Sequence, residues 1–186
     1  MKIESNNNTA FGAKFIKFEK IKKLKTAEKT YENIYASFVE INPQNQNDIS
    51  ALSKTAKYWE NEKFAGNIYL TAKELTKQTK NIGKIYALTE QKGNFEKLEF
   101  KKILGITNII KEDTKCIYLD HIQTNPAYIY DVMNKFKGIG SGILNSLKSL
   151  YNVITLISLD TKATKNFYRK NGFQEVNNSN LFVWYK

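Results

Sequence analysis

Apolar and polar positions recur along this chain with two different periods, and the change from one to the other marks out its elements. Residues 31–42 are rich in β-branched and aromatic side chains and predict a strand. Pro43 and a polar Asn/Gln cluster stop it and offer Asn47 or Asp48 as a helix cap. Ile49, Leu52, Ala56 and Trp59 then fall on one helical face, and after a break at Gly66 a second helix is expected over 70–79. Segments 84–90, 101–111 and 114–124 predict three strands of an antiparallel meander, with Gly93-Asn94 and Glu112-Asp113 at the turns. Past Pro126 the pattern predicts a link, a helix over 141–151, a strand over 153–159 and a helix over 161–170 closed by Gly172. Segments 173–176 and 181–185 form a last strand pair turned at Asn177 to Asn180. The sum is an α/β (mixed α+β) domain with a mixed, mostly antiparallel sheet flanked by helices.

Charge adds a second feature. Residues 1–30 carry eight Lys against Glu4, Glu19 and Glu28, and they read as a Lys-rich extension ahead of a domain spanning 31–186. It is either a mobile arm or an extra edge strand over 11–18, where Ala13, Phe15, Ile16 and Phe18 suit docking. The whole chain of 186 residues has a formal net charge of +11, which attracts anions: nucleic acid, an acidic membrane surface or a phosphorylated coenzyme. Scattered Lys more often forms a solvated face, so charge admits a nucleic-acid partner without selecting one. Cys116 is the single cysteine, so no intramolecular disulfide, Cys-x-x-Cys pair or zinc cluster forms, and no metal is expected. The amino terminus lacks the apolar core of a secretory signal, and no stretch reaches the ~20 apolar residues that span a bilayer. A cytoplasmic protein without a membrane partner is expected; a homodimer fits the general prevalence of twofold assemblies.

The sharpest local signal is Lys135-Phe136-Lys137-Gly138-Ile139-Gly140-Ser141-Gly142, directly before the apolar face Ile143, Leu144, Leu147 and Leu150. Glycines let the backbone approach a ligand closely, and the unpaired N–H groups of a helix start favour phosphate. A dinucleotide fingerprint would need a third Gly where Ile143 stands, and a P-loop would need Gly-Lys-Ser/Thr after four spacers.

This loop resembles the Arg/Gln-x-x-Gly-x-Gly/Ala motif of GNAT acyl-CoA N-acyltransferases, with Lys135 where the family has Arg or Gln. Residues 117–126, Ile-Tyr-Leu-Asp-His-Ile-Gln-Thr-Asn-Pro, are similar to the family's fourth core strand, in the form with an acidic residue found in polyamine acetyltransferases. Residues 164–173, Thr-Lys-Asn-Phe-Tyr-Arg-Lys-Asn-Gly-Phe, resemble its Ala-x-x-Phe/Leu-Tyr-x-x-x-Gly-Phe signature. The resemblance implies a GNAT fold and acetyl-CoA as cosubstrate. It also implies that Ile122, Gln123 and Thr124 bind the acyl group and pantetheine arm, and that Lys135, Phe136, Lys137, Gly138, Ile139, Gly140 and Ser141 surround the pyrophosphate. Thr161 and Thr164 would complete the coenzyme contacts, Thr161 standing where the family usually has Asn. Tyr168 would face the sulfur and protonate the leaving thiolate. Asp120 is the first candidate base and His121 the second; on a regular strand they point to opposite faces, so only one would enter the cleft unless a β-bulge intervenes. Tyr118 stands where other members carry Glu. The link between Pro126 and Lys135 is longer than usual and is expected to remodel the acceptor side.

The function implied is transfer of an acetyl group from acetyl-CoA to a primary amine of a small molecule or protein. Two alternatives stand beside it: a toxin-like acetyltransferase acting on aminoacyl-tRNA or another RNA-associated amine, and a non-catalytic acyl-CoA-binding module.

Overall fold

A computed structural model describes residues 12–59, 63–77, 82–128 and 135–186. In chain order the elements are β1 (Lys14–Lys25), β2 (Thr30–Ile41), α1 (Gln46–Tyr58), α2 (Lys63–Leu75), β3 (Gly83–Thr89), β4 (Ile103–Lys111) and β5 (Cys116–Thr124). Then come β6 (Phe136–Lys137), α3 (Ile139–Leu150), β7 (Val153–Ile157), α4 (Lys162–Lys170), β8 (Gln174–Glu175) and β9 (Leu181–Tyr185). The strands form one sheet in the order β6-β1-β2-β3-β4-β5-β7-β9-β8, antiparallel throughout except for the β5/β7 pair.

Period-2 alternation builds the core on both faces of this sheet. On β2, Phe38 faces the cluster containing Ile143, Leu144 and Leu147 of α3, while its neighbour Val39 faces the cluster containing Leu52 of α1 and Ile68 of α2. On β3, Tyr86 and Leu88 take the α3 side and Ile85 and Ala87 the α1/α2 side. Each large side chain so buried contributes roughly 1.5–3 kcal/mol relative to exposure. The hydroxyl of Tyr86 meets that of Tyr151 at 2.8 Å, which ties the end of α3 to the middle of the sheet. Among the described residues, no helix is long and apolar enough to cross a membrane.

Several boundaries differ from the sequence expectations, each for a local reason. The Lys-rich stretch forms β1, which pairs with β2 from Lys14↔Glu40 to Lys25↔Thr30. One face of β1 brings Ile21 and Glu19 onto α3, where Glu19 accepts a hydrogen bond from Ser146 at 3.0 Å; Lys20 and Lys22, on the other face, are exposed. Residues 1–11, and with them the start of the strand expected at 11, lie outside the described residues. Gly66 does not break a helix but lies inside α2, whose Ala65, Ile68 and Ala72 form the buried stripe. The α1 cap is Asn45, accepting from the backbone of Asn47 at 2.8 Å and of Asp48 at 3.2 Å, not Asn47 or Asp48. Asp48 is buried and accepts from the Asn42 backbone at 2.9 Å, and burial pushes its carboxyl up to about 6. Helix α3 starts at Ile139, two residues early, because Gly138 adopts φ +83 and turns the chain directly into it. The end expected for the second helix (78–79) and most of the link (129–134) lie outside the described residues.

Candidate active site

The parallel pair β5/β7 is in register only from Cys116↔Val153 to Tyr118↔Thr155. Beyond it the strands part, and among the described residues the β7-facing backbone of β5 from Asp120 to Thr124 has no strand partner. A cleft of about 820 Å³ opens in the gap. It has two ends of different construction.

One end is mostly backbone. Phe136, Lys137, Gly138, Ile139 and Gly140 line it, opposite Thr124 of β5 and Thr164 and Phe167 of α4. The first intrahelical bond of α3 runs from the Gly142 N–H to the Gly138 carbonyl at 2.8 Å, so the preceding N–H groups of the first turn have no partner within the helix. No side chain caps this terminus. A Cβ on Gly140 would lie 3.0 Å from Phe167 and 3.9 Å from Thr124, so glycine keeps the passage between α3 and α4 open. This cradle, with its positive helix end and Lys137 beside it, suits a pyrophosphate.

The other end is side chains. The β4/β5 register shifts between Asn108↔His121 and Ile109↔Leu119, leaving Asp120 as the extra residue of a β-bulge. The bulge corrects the expectation of opposite faces: Asp120 and His121 both line the cleft. They touch, with His121 Nδ1 at 2.9 Å from Asp120 Oδ2, and the same oxygen accepts from Asn108 Nδ2 at 2.8 Å. The Asp120 carboxylate oxygen beside Nδ1 favours the tautomer that carries its proton there, and in that tautomer Nε2 presents the lone pair. That nitrogen faces Asn67 Nδ2 of α2 at 3.5 Å, too long for a strong bond, and the ring packs 5.3 Å from Phe64.

Tyr168, on α4, lies between these ends. It is buried among Phe167, Phe173 and Phe182, with ring centroids at 5.1, 5.7 and 5.7 Å. Burial first, then the nearby Tyr118, pushes its phenol up to about 12, so it keeps its proton at neutral pH. Tyr118 is itself raised, by burial and by the Asp120 charge.

Of the residues singled out in the sequence, Asp120, His121, Ile122, Gln123, Thr124, Phe136, Lys137, Gly138, Ile139, Gly140, Thr164 and Tyr168 line this one cleft. Lys135, Ser141 and Thr161 do not. Lys135 is exposed, its Nζ 5.7 Å from the Phe136 ring. Ser141 has turned into α3. Thr161 caps α4, its Oγ1 accepting from the Thr164 N–H at 3.2 Å and lying 2.7 Å from Thr164 Oγ1. Sequence reasoning missed Phe64, Tyr128, Ile157 and Leu159, which also line the cleft. No motif marks them; Phe64 in particular is more than fifty positions from β5 and arrives through the crossing of α2.

The chain has the fold of the GNAT acetyltransferases. It is similar over 81% of its length to a protein of the GNAT family from Desulfovibrio desulfuricans assigned as an acetyltransferase, at 9% identity and a TM-score of 0.52, with 98% of that chain covered. An assigned acetyltransferase from Exiguobacterium sp. 255-15 superposes on 81% of this chain and 93% of its own, at 14% identity and a TM-score of 0.51. No family model and no curated protein matches the sequence.

Proposed function

We propose that this protein is an N-acetyltransferase that moves an acetyl group from acetyl-CoA to a primary amine. The observation that carries the reading is the single cleft on which a helix start free of side-chain caps, the Asp120–His121 pair and Tyr168 converge. Acetyl-CoA would supply an activated thioester. The N–H groups at the start of α3, with Lys137, suit its pyrophosphate, and the unpartnered backbone of β5 suits the amides of its pantetheine arm. His121 Nε2 takes a proton from the incoming ammonium or amine, and Asp120 holds the ring in the tautomer that can do so. This reverses the order expected from sequence, because the Asp120 oxygen is committed to Asn108 and His121. As the new C–N bond forms and the C–S bond breaks, Tyr168 donates its proton to the departing thiolate. A phenol held near 12 is protonated for that purpose at neutral pH.

Calorimetry with acetyl-CoA tests the coenzyme half: micromolar binding is expected, and no heat at micromolar protein and ligand sinks the proposal. Release of free thiol across an amine panel tests the transfer half.

A further inference from the structure

The acceptor end of the cleft carries an unusual chemistry for a site that takes an amine. Among the described residues that line the cleft, Asp120 and Lys137 are the only ones with a fixed formal charge. One oxygen of the Asp120 carboxylate, Oδ2, is engaged by Asn108 at 2.8 Å and His121 at 2.9 Å. A polyamine, whose several ammonium groups call for several anions along its length, would find this one carboxylate among the described lining residues. The wall around His121 is apolar instead. Phe64 comes from α2 and Tyr118 from β5, and Ile157 and Leu159 follow at the end of β7. Ile157 is 64% exposed and Leu159 54% exposed, both at a cleft mouth beside two aromatic rings. Single exposed apolar residues are ordinary, but four lining the cleft that holds His121 form a surface that an apolar ligand would cover.

Resting on the acetyltransferase reading above, we infer that the acceptor is a monoamine whose nitrogen is carried on an aromatic or branched apolar group. The amine meets His121 Nε2, and the carrier lies against Phe64, Tyr118, Ile157 and Leu159. The Phe64 ring, 5.3 Å from that of His121, also favours the amine while it is still an ammonium, before His121 removes its proton. Selectivity then comes from burying the carrier, not from charge pairing. A long polycation would leave its distal ammonium groups desolvated against Ile157 and Leu159 without partners.

The test is calorimetric binding of 2-phenylethylamine and spermidine, each measured with and without saturating CoA. The expected result is 2-phenylethylamine binding at least about tenfold tighter than spermidine, as one buried apolar group of this size provides. Two variants at one exposed position, Ile157, which leave the core intact, locate the site. Ile157→Ala should weaken 2-phenylethylamine several-fold without changing the CoA affinity. Ile157→Glu should weaken it further and bring spermidine to equal or better affinity. Equal or tighter spermidine binding by the unmodified protein, no binding of either amine, or an Ile157→Ala variant indistinguishable from it would overturn the inference. Failure of CoA itself to bind would instead overturn the acetyl-CoA reading, and the amine preference is still read from the series without CoA.

Discussion

The two ends of the cleft are built on opposite principles. The end proposed for the coenzyme is lined by main-chain groups: the start of α3, the edge of β5 that β7 leaves uncovered, and Gly140, whose missing side chain makes room beside Phe167. The end proposed for the acceptor is lined by side chains drawn from α2, β5, β7 and α4. A backbone cradle fits a ligand part that never changes, and side chains suit the part that must be selected. The first can be preserved by spacing alone. The second can be rewritten residue by residue while the fold stays as it is.

The strongest way to separate the ends is His121→Gln. Turnover is expected to fall roughly 10²–10³-fold, the usual worth of a positioned base, with CoA affinity unmoved. Single-turnover kinetics beside calorimetry read both quantities; a loss of CoA affinity of similar size would mean the two ends are not independent. Gly140→Val attacks the other end. Its branched side chain would meet Phe167 and Thr124, and CoA affinity should drop by about tenfold to a hundredfold while the overpacking lowers the thermal midpoint by only a few degrees. If amine binding measured without CoA falls in parallel, the division fails.

Tyr168→Phe falls between them. Loss of one proton donor at the sulfur should slow turnover by about tenfold with both affinities intact. The smallest effect concerns pH. The folded phenol of Tyr168 sits near 12 and an unfolded one near 10, so its contribution to stability is full below about 10 and is lost as pH rises toward 12. Denaturant titrations at pH 9 and pH 11 should therefore lose about 1 kcal/mol more in the unmodified protein than in Tyr168→Phe.

The same contrast explains what the sequence made legible. Gly138 and Gly140 announce a backbone cradle because only glycine meets the local demands, φ +83 at one and a close neighbour at the other. The strand–helix succession of the last third was readable for the same reason: its periods are local. Lys135, Ser141 and Thr161 show what motif spacing leaves open: it does not say where a side chain goes, here to solvent, into α3 and onto the α4 cap. Gly66 misled because tertiary packing of Ala65, Ile68 and Ala72 outweighs one glycine's helix cost of about 1 kcal/mol. Phe64 and Ile157 were invisible because nothing in their neighbourhoods distinguishes a cleft wall from core or surface.

The extra residue in β5 deserves to be read as punctuation. Up to Leu119 the strand keeps time with β4 on one beat; from His121 onward it keeps the opposite one. Were the strand regular through this point, residue 121 would share a face with Leu119 and the imidazole would turn toward the α3 side of the sheet; the extra residue keeps it on the α2 side, beside Phe64. Sequence comparison of this strand with another must therefore be phased separately before and after Asp120, or it will match His121 to a neighbour that faces away.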